Sequence, residues 1–181
     1  MSDVKSALSH GFLAVSSGWA LSKCMDLHYA AFGFGLYLVN GILGVACYAF
    51  DNESLNHIQI RLYRISTNLS LPLIATEMYI SAGLPYQYCW LHLVFPIYFI
   101  IKEEVLDEQV DSNLKDISNI AQIISAGYSS FLKDNNIYGY AFAVLQCANF
   151  FGNGRNQVLQ FCCFAGLGCI SALFFFKGSQ F

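Results

Sequence analysis

Long apolar runs alternate with short polar stretches along this chain. The clearest run covers residues 29–50 and contains no charged residue. About 20 apolar residues suffice for a helix to cross the hydrocarbon core of a bilayer, so this run predicts a transmembrane helix. With the other apolar runs it gives seven predicted spans, at residues 7–22, 29–50, 65–84, 86–101, 118–132, 136–152 and 158–176.

Three of these runs are short for a full crossing, namely those that begin at residues 7, 86 and 118. A short run can tilt away from lipid or re-enter on the same side. Six spans are therefore the alternative to seven.

The composition favours a membrane protein over a soluble domain. Hydrophobic residues make up 56% of the chain and charged residues only 12%, against about 25% charged residues in a typical globular domain. Too few charges remain to cover a surface that faces water, so the sequence predicts an all-α, polytopic bundle solvated by the lipid bilayer. The net charge of −3 comes without a basic cluster, and nucleic-acid binding is not expected.

One strongly hydrophilic stretch, residues 102–117, divides the chain into an N-terminal bundle of four spans (1–101) and a C-terminal bundle of three (118–181). Apolar residues recur within it at helical spacing, which predicts an amphipathic helix with an acidic outer face. The simpler interpretation is a solvated linker. The alternative is docking onto a membrane-protein partner or a second copy, because anionic lipid would repel an acidic surface helix. The docking face would consist of Leu106, Val110, Leu114 and Ile117.

The distribution of lysine and arginine predicts the orientation, because cytoplasmic loops carry an excess of these residues. With seven spans, the side of the N-terminus carries Lys5, Arg61, Arg64, Lys102, Lys115 and Arg155. The opposite side carries Lys23, Lys133 and Lys177. The sequence therefore predicts a cytosolic N-terminus, and an endomembrane such as the endoplasmic reticulum is the working location.

A shift of 109 residues aligns the first and second predicted spans with the fifth and sixth. It pairs Ser16 with Ser125, Gly18 with Gly127, Tyr29 with Tyr138, Leu36 with Leu145 and Asn40 with Asn149. Two parallel repeats of three spans around one linking span would follow. This plan is similar to that of SWEET-type sugar transporters, in which the substrate path runs between the halves. The similarity is confined to the plan, because the chain has no proline–glutamine loop.

Four polar residues inside apolar runs are candidates for a polar or ion path. Glu77 is an acid in the third span, and an ionised carboxylate within a bilayer is costly unless it faces a polar interior. It could carry a proton or cation, or form a structural hydrogen bond. His92 could exchange protons with it or serve as a packing residue. Asn40 and Asn149, the pair aligned by the repeat, would either join helices by hydrogen bonds or line the path.

Glycines in the second and last spans predict close packing between helices, because a residue without a side chain lets backbones approach. These are Gly33, Gly35, Gly41, Gly44, Gly166 and Gly168.

No catalytic, metal-binding or cofactor-binding motif occurs in the sequence. Hydrolase and zinc-protease signatures are absent, and the seven cysteines form no C-x-x-C pair. We therefore expect no enzyme, no metal and no cofactor. Two functions remain: permeation or transport of a small solute or ion that uses the intramembrane Glu77, and a non-catalytic accessory subunit, scaffold or assembly factor of a membrane complex.

Overall fold

The computed structural model describes residues 2–50, 53–152 and 157–177, which form helices joined by short connections. No strand occurs in this part of the chain, which agrees with the predicted all-α fold. In chain order the helices are α1 (Ser2–Lys23), α2 (His28–Phe50), α3 (Glu53–Ser81), α4 (Tyr86–Cys89), α5 (Leu91–Ile100), a π-helix (Ile101–Val105), α6 (Ser112–Leu132), α7 (Ile137–Gly152) and α8 (Gln157–Lys177).

Two helices are long and apolar enough to cross a membrane, judged by length and composition alone. They are α2, with a mean hydropathy of 1.7, and the segment Val158–Phe176 of α8, with 2.1. Among the described residues the other helices fall short of this measure. In α1 and α6 the reason is visible, because both carry several serines and other polar side chains that lower the mean.

The start of α3 differs from the sequence prediction. Residues 51–64 have the composition of a hydrophilic loop, but from Glu53 onward they form the first turns of one helix that continues to Ser81. A carboxylate in the first turn favours this helix start, because it lies at the positive end of the helix dipole. Residues 51 and 52 lie outside the described part of the chain. The fourth predicted span is interrupted as well, since α4 and α5 meet at Trp90.

The hydrophilic stretch 102–117 also differs from the single helix predicted for it. The π-helix ends within it, and residues 106–111 are not helical. Asp107 adopts a φ of 53°, and the N–H of Glu108 donates to the carbonyl of Lys102 over 2.9 Å. A left-handed residue followed by a hydrogen bond back into the last turn is a common way to end a helix.

The next helix begins with its own cap. A side-chain oxygen of Asp111 accepts a hydrogen bond from the N–H of Asn113 over 2.9 Å, which satisfies one of the unpaired donors in the first turn of α6. Acidic residues of this stretch thus act at helix ends instead of covering one continuous helix.

The helices pack in two sets of three. Helix α2 packs against α1 and α3, and helix α7 packs against α6 and α8. The two sets meet where α1 contacts α8 and where α3 contacts α6, with a smaller contact between α3 and α8. Helix α5 lies against α3. The space between the sets is therefore bounded by α3, α6, α7 and α8 on one side and by α8, α1, α2 and α3 on the other.

The outer faces of α1 and α6 are apolar. Exposed hydrophobic side chains recur on them every three or four residues: Val4, Leu8, Phe12, Val15 and Trp19 on α1, and Ile117, Ile120, Ile124, Tyr128 and Phe131 on α6. Their inner faces carry buried polar side chains, which are Ser9, His10, Ser17, Ser118, Gln122, Ser129 and Ser130. This arrangement is the reverse of an amphipathic helix on a water-soluble protein.

Helices α1, α2 and α3 approach closely at two glycines. A Cβ atom at Gly41 would lie 2.7 Å from the backbone N of Ala14, and one at Gly33 would lie 2.8 Å from the carbonyl O of Ser70. Both distances are far shorter than a van der Waals contact, and the obstructing atoms belong to the backbone. These positions therefore require glycine for the helices to pack as they do.

The other glycines expected to pack helices divide into two groups. The ring of His10 fills the place where a side chain at Gly44 would stand, and a Cβ at Gly166 would lie 2.9 Å from a leucine of α7. Gly35 has no neighbouring atom within 4 Å among the described residues, and a Cβ at Gly168 would make an ordinary contact at 4.0 Å. The last two glycines do not mark close approaches in this structure.

Candidate functional site

Six carboxamide side chains from four helices line one cleft between the two sets of helices. The cleft has a volume of about 140 Å³. Thr67, Ser118 and Lys115 also line it. We call it the amide cleft, and its carboxamides are Asn68, Asn119, Gln122, Gln146, Asn149 and Gln160. It concentrates neutral hydrogen-bonding groups from separate helices at one place in the bundle.

A chain of hydrogen bonds orients three of these groups. The Nε2 of Gln146 donates to the Oε1 of Gln122 over 3.3 Å, and the Nε2 of Gln122 donates to the Oγ of Ser118 over 3.4 Å. Gln146 is only 3% exposed, and its Oε1 has no hydrogen-bond partner among the described residues. A buried acceptor without a donor costs free energy, about 1 to 3 kcal/mol. A lining residue of the amide cleft therefore holds a buried acceptor that lacks a donor among the described residues.

The charges beside the amide cleft neutralise each other. The ammonium group of Lys115 forms an ion pair with the carboxylate of Glu103. The Nδ2 of Asn68 donates to the second oxygen of the same carboxylate over 3.4 Å. The wall of the cleft thus has one positive charge, and that charge is already paired.

Apolar side chains lie one helical turn beyond the lining residues. Ile74 follows Leu71 on α3, Leu167 follows Phe164 on α8, and Phe142 precedes Gln146 on α7. Ile74, Leu167 and Phe142 are fully buried. The cleft therefore ends on an apolar layer.

A second cavity, of about 810 Å³, lies on the other side of the contact between α3 and α8. We call it the histidine pocket, and its polar or aromatic lining consists of His10, Tyr48, Asn56, Gln59, Tyr63, Arg64 and Phe161. The hydroxyl of Tyr63 donates to the Oε1 of Gln160 over 2.7 Å, so one hydrogen bond links the walls of the two cavities. The ring of His10 lies against Phe161 with centroids 4.1 Å apart.

Glu77 caps the start of α2. It is 6% exposed, and its Oε2 accepts a hydrogen bond from the backbone N–H of Tyr29 over 2.9 Å. This N–H belongs to the first turn of α2, where no helical acceptor is available. The positive end of the helix dipole also favours a carboxylate there. Capping therefore accounts for the burial of this acid at the start of α2.

His92 lies apart from Glu77. Its ring meets that of Tyr79 edge to face, with centroids 4.6 Å apart. Tyr79 and Glu77 are two residues apart on α3 and so face different directions. The structure does not bring the two predicted titratable groups together.

The two asparagines aligned by the repeat occupy different environments. Asn149 lines the amide cleft. Asn40 is fully buried, lines neither of the two cavities, and both polar atoms of its amide lack a partner among the described residues. Of the four candidates for a polar path, only Asn149 belongs to the amide cleft.

The predicted docking face is divided by the break in the hydrophilic stretch. Leu106 and Ile117 are exposed, whereas Val110 and Leu114 are half-buried. Leu106 and Val110 precede the helix start at Ser112, and the other two lie within α6. They do not form one face of a helix.

Several acids of the same stretch are paired within the chain. Glu104 lies 3.4 Å from Arg64, and Glu108 lies 2.7 Å from Lys102. The hydrogen bond and the charge of Glu108 raise the pKa of Lys102 above its usual value. Together with the Glu103 pair, these contacts hold the stretch against the bundle.

Local spacing along the sequence does not identify most residues of the amide cleft. Its carboxamides come from four helices, and no spacing along the chain indicates that these helices meet at one cleft. The usable signal is the residue type, because Gln122 and Gln146 are carboxamides within apolar runs, where polar side chains usually face a protein interior.

No group of three or more His, Cys, Asp or Glu side chains able to hold a metal ion occurs among the described residues. Known proteins offer no further guide, because no protein family, curated protein or solved structure matches the chain significantly.

Proposed function

We propose that the chain is a multi-pass membrane protein with seven crossings and that it binds and moves a small polar solute through the amide cleft. The observation that carries this proposal is the cleft itself, which is lined by six carboxamides, one of which, Gln146, has a buried acceptor without a partner in the described part of the chain.

The surface of the bundle supports membrane crossings by more helices than the two most apolar ones. The outer faces of α1 and α6 carry apolar stripes, while several of their polar residues are buried. Monomeric soluble proteins rarely expose apolar patches of this extent. A bilayer would solvate the stripes and would make a polar interior the favourable arrangement.

The helix boundaries and contacts support two parallel repeats in the proposed three-plus-one-plus-three plan. A shift of 109 residues carries the end of α1 at Lys23 onto the end of α6 at Leu132, and the start of α2 at His28 onto the start of α7 at Ile137. If the two sets of helices are exchanged, α1 takes the place of α6 and α8 takes the place of α3. The contact of α1 with α8 then corresponds to the contact of α6 with α3. The amide cleft would then lie between the repeats, where carriers of this general plan bind substrate.

The apolar layer beneath the amide cleft favours a carrier over an open channel. A continuous pore would need polar groups or water along its whole length, whereas Ile74, Phe142 and Leu167 pack tightly one turn beyond the lining. Access from one side at a time, with rearrangement of one repeat against the other, fits this geometry. In this proposal Asn149 contacts the solute and Glu77 has a structural role.

Solute flux into liposomes that contain the purified full-length protein tests the proposal. A panel of polyols, amides, amino acids, sugars and inorganic ions should reveal at least one solute that enters faster than into protein-free liposomes. Asn149→Leu should reduce that flux about tenfold, as expected for the loss of one or two hydrogen bonds to the solute. Asn40→Leu, which changes the same residue type outside the cleft, should leave the flux unchanged.

Absence of flux for every solute, or an equal loss in both variants, would overturn the proposal. An accessory or assembly role would then be the remaining candidate, and a companion chain should co-migrate with the protein extracted from native membranes in mild detergent.

A further inference from the structure

We infer that the ligand of the amide cleft is a neutral solute of about six non-hydrogen atoms that both donates and accepts hydrogen bonds, such as a small polyol or a urea-like amide. This inference rests on the proposed function and specifies its substrate class.

The volume sets the size of the ligand. The amide cleft measures about 140 Å³, and a protein cavity of about 150 Å³ can hold one benzene molecule, which has six heavy atoms. Glycerol and urea have six and four heavy atoms. A hexose has twelve, and the apolar layer of Ile74, Phe142 and Leu167 leaves no room for it to extend inward.

The charges set the net charge of the ligand. The ammonium group of Lys115 is paired with Glu103, and the rest of the described lining consists of amide, hydroxyl and apolar groups. An ion that left water for this cleft would lose its hydration without meeting an unpaired countercharge, and such a transfer is costly. A neutral solute avoids that cost.

The hydrogen bonds set the pattern of donors and acceptors. One N–H of Gln146 donates to Gln122, and its buried Oε1 has no donor among the described residues, so a ligand that reaches this oxygen must donate to it. The Oε1 of Gln160 receives the hydroxyl proton of Tyr63, so the donor end of that amide is the one that points away from Tyr63. A ligand that donates to Gln146 and accepts from a carboxamide N–H group matches this polarity. Hydroxyl and urea-type groups do both.

Binding can be measured without transport, by saturation-transfer NMR on the purified full-length protein in lipid nanodiscs. Glycerol and urea should each receive saturation from the protein, and each should displace the other. Acetate, methylammonium and glucose should receive none. Gln146→Met, which keeps the length of the side chain and removes the acceptor, should weaken binding about tenfold. Asn40→Leu should bind as the unaltered protein does.

The outcomes separate the inference from the proposed function. Binding of the neutral solutes without flux in liposomes would sustain the inference and overturn the transport role. Binding or flux of an ion or a hexose, without the neutral solutes, would overturn the inference and leave a transport role standing. Neutral solutes that bind equally well to the protein and to Gln146→Met, or not at all, would also overturn the inference.

Discussion

The two sets of three helices place different chemistry at positions that the proposed repeat makes equivalent. In the set α1–α3, Leu13 and Tyr37 are fully buried in the hydrophobic core. The shift of 109 residues carries them onto Gln122 and Gln146, which are hydrogen-bonded to each other on the wall of the amide cleft. At these two aligned positions the first set thus has apolar core side chains and the second set has the carboxamides of a polar cleft.

A third position that the proposed repeat aligns indicates why the amide cleft forms beside the second set. Gly41 allows the backbones of α1 and α2 to meet at Ala14. The residue that the proposed repeat aligns with it is Phe150, which lines the amide cleft. A large side chain stands where the first set has none, so the second pair of helices cannot close in the same way. A cleft remains beside the ring.

The first prediction makes the first set resemble the second and should have the largest effect. Gly41→Phe places a ring where even a Cβ would lie 2.7 Å from a backbone atom of α1. Overpacking against backbone that cannot yield should cost about 3 kcal/mol or more. Thermal unfolding in detergent, followed by size-exclusion chromatography, should show a strongly destabilised or aggregated protein.

Gly35→Ala is the matched control, because a Cβ at Gly35 meets no atom within 4 Å among the described residues. It should unfold at the same temperature as the unaltered protein or slightly above it, since alanine favours a helix over glycine by up to about 1 kcal/mol. A Gly41→Phe protein that is as stable as the control would show that close packing of α1 on α2 does not distinguish the two sets.

The sequence predicts the helices better than the cleft, and the reason is the range of the interactions. The length of an apolar run is a local property of the sequence, and the runs at 136–152 and 158–176 agree closely with α7 and α8. The polar start of α3 cannot be predicted from apolar runs, because the part of a helix that extends beyond an apolar layer needs no apolar residues. The end of a helix at Asp107 depends on one left-handed residue that composition does not reveal.

Partners of the polar residues are harder still to predict. Glu77 stands out in the sequence as an acid in an apolar run, yet its acceptor role depends on an N–H that is 48 residues away. Asn149 is found through its alignment with Asn40, but nothing local indicates that only one of them meets other carboxamides. Such contacts arise from the packing of separate helices.

The second prediction concerns how each set starts its middle helix. In α2 the N–H of Tyr29 donates to Glu77 of a neighbouring helix over 2.9 Å. In α7 the equivalent N–H, that of Tyr138, donates over 3.0 Å to Asn136, the residue just before the helix. Glu77→Ala should therefore destabilise the protein by about 1 to 2 kcal/mol, the usual cost of a lost cap, in unfolding measured at neutral pH.

A rescue variant tests the equivalence. Leu27 precedes α2 as Asn136 precedes α7, so Leu27→Asn should supply a local cap and recover a large part of the stability lost in Glu77→Ala. Glu77→Gln, which keeps an acceptor oxygen, should lose less than Glu77→Ala and should retain solute flux. Loss of flux in a stable Glu77→Gln protein would mean that this carboxylate serves transport, contrary to its role as a cap.

The smallest expected effect is a gain in stability, and it separates the two equivalent asparagines. Asn40 buries an amide with no partner among the described residues, so Asn40→Leu removes two unsatisfied polar atoms from a packed interior. A protein generally gains when such a group is replaced by an apolar one of similar size, here by about 1 kcal/mol. Asn149→Leu should gain nothing, because Asn149 borders a polar cleft that would lose part of its wall. Thermal unfolding of both variants in one detergent compares them directly. If Asn40→Leu instead lowers the stability, its amide has a partner such as water or lipid, and the polar interior of this protein extends through both sets of helices.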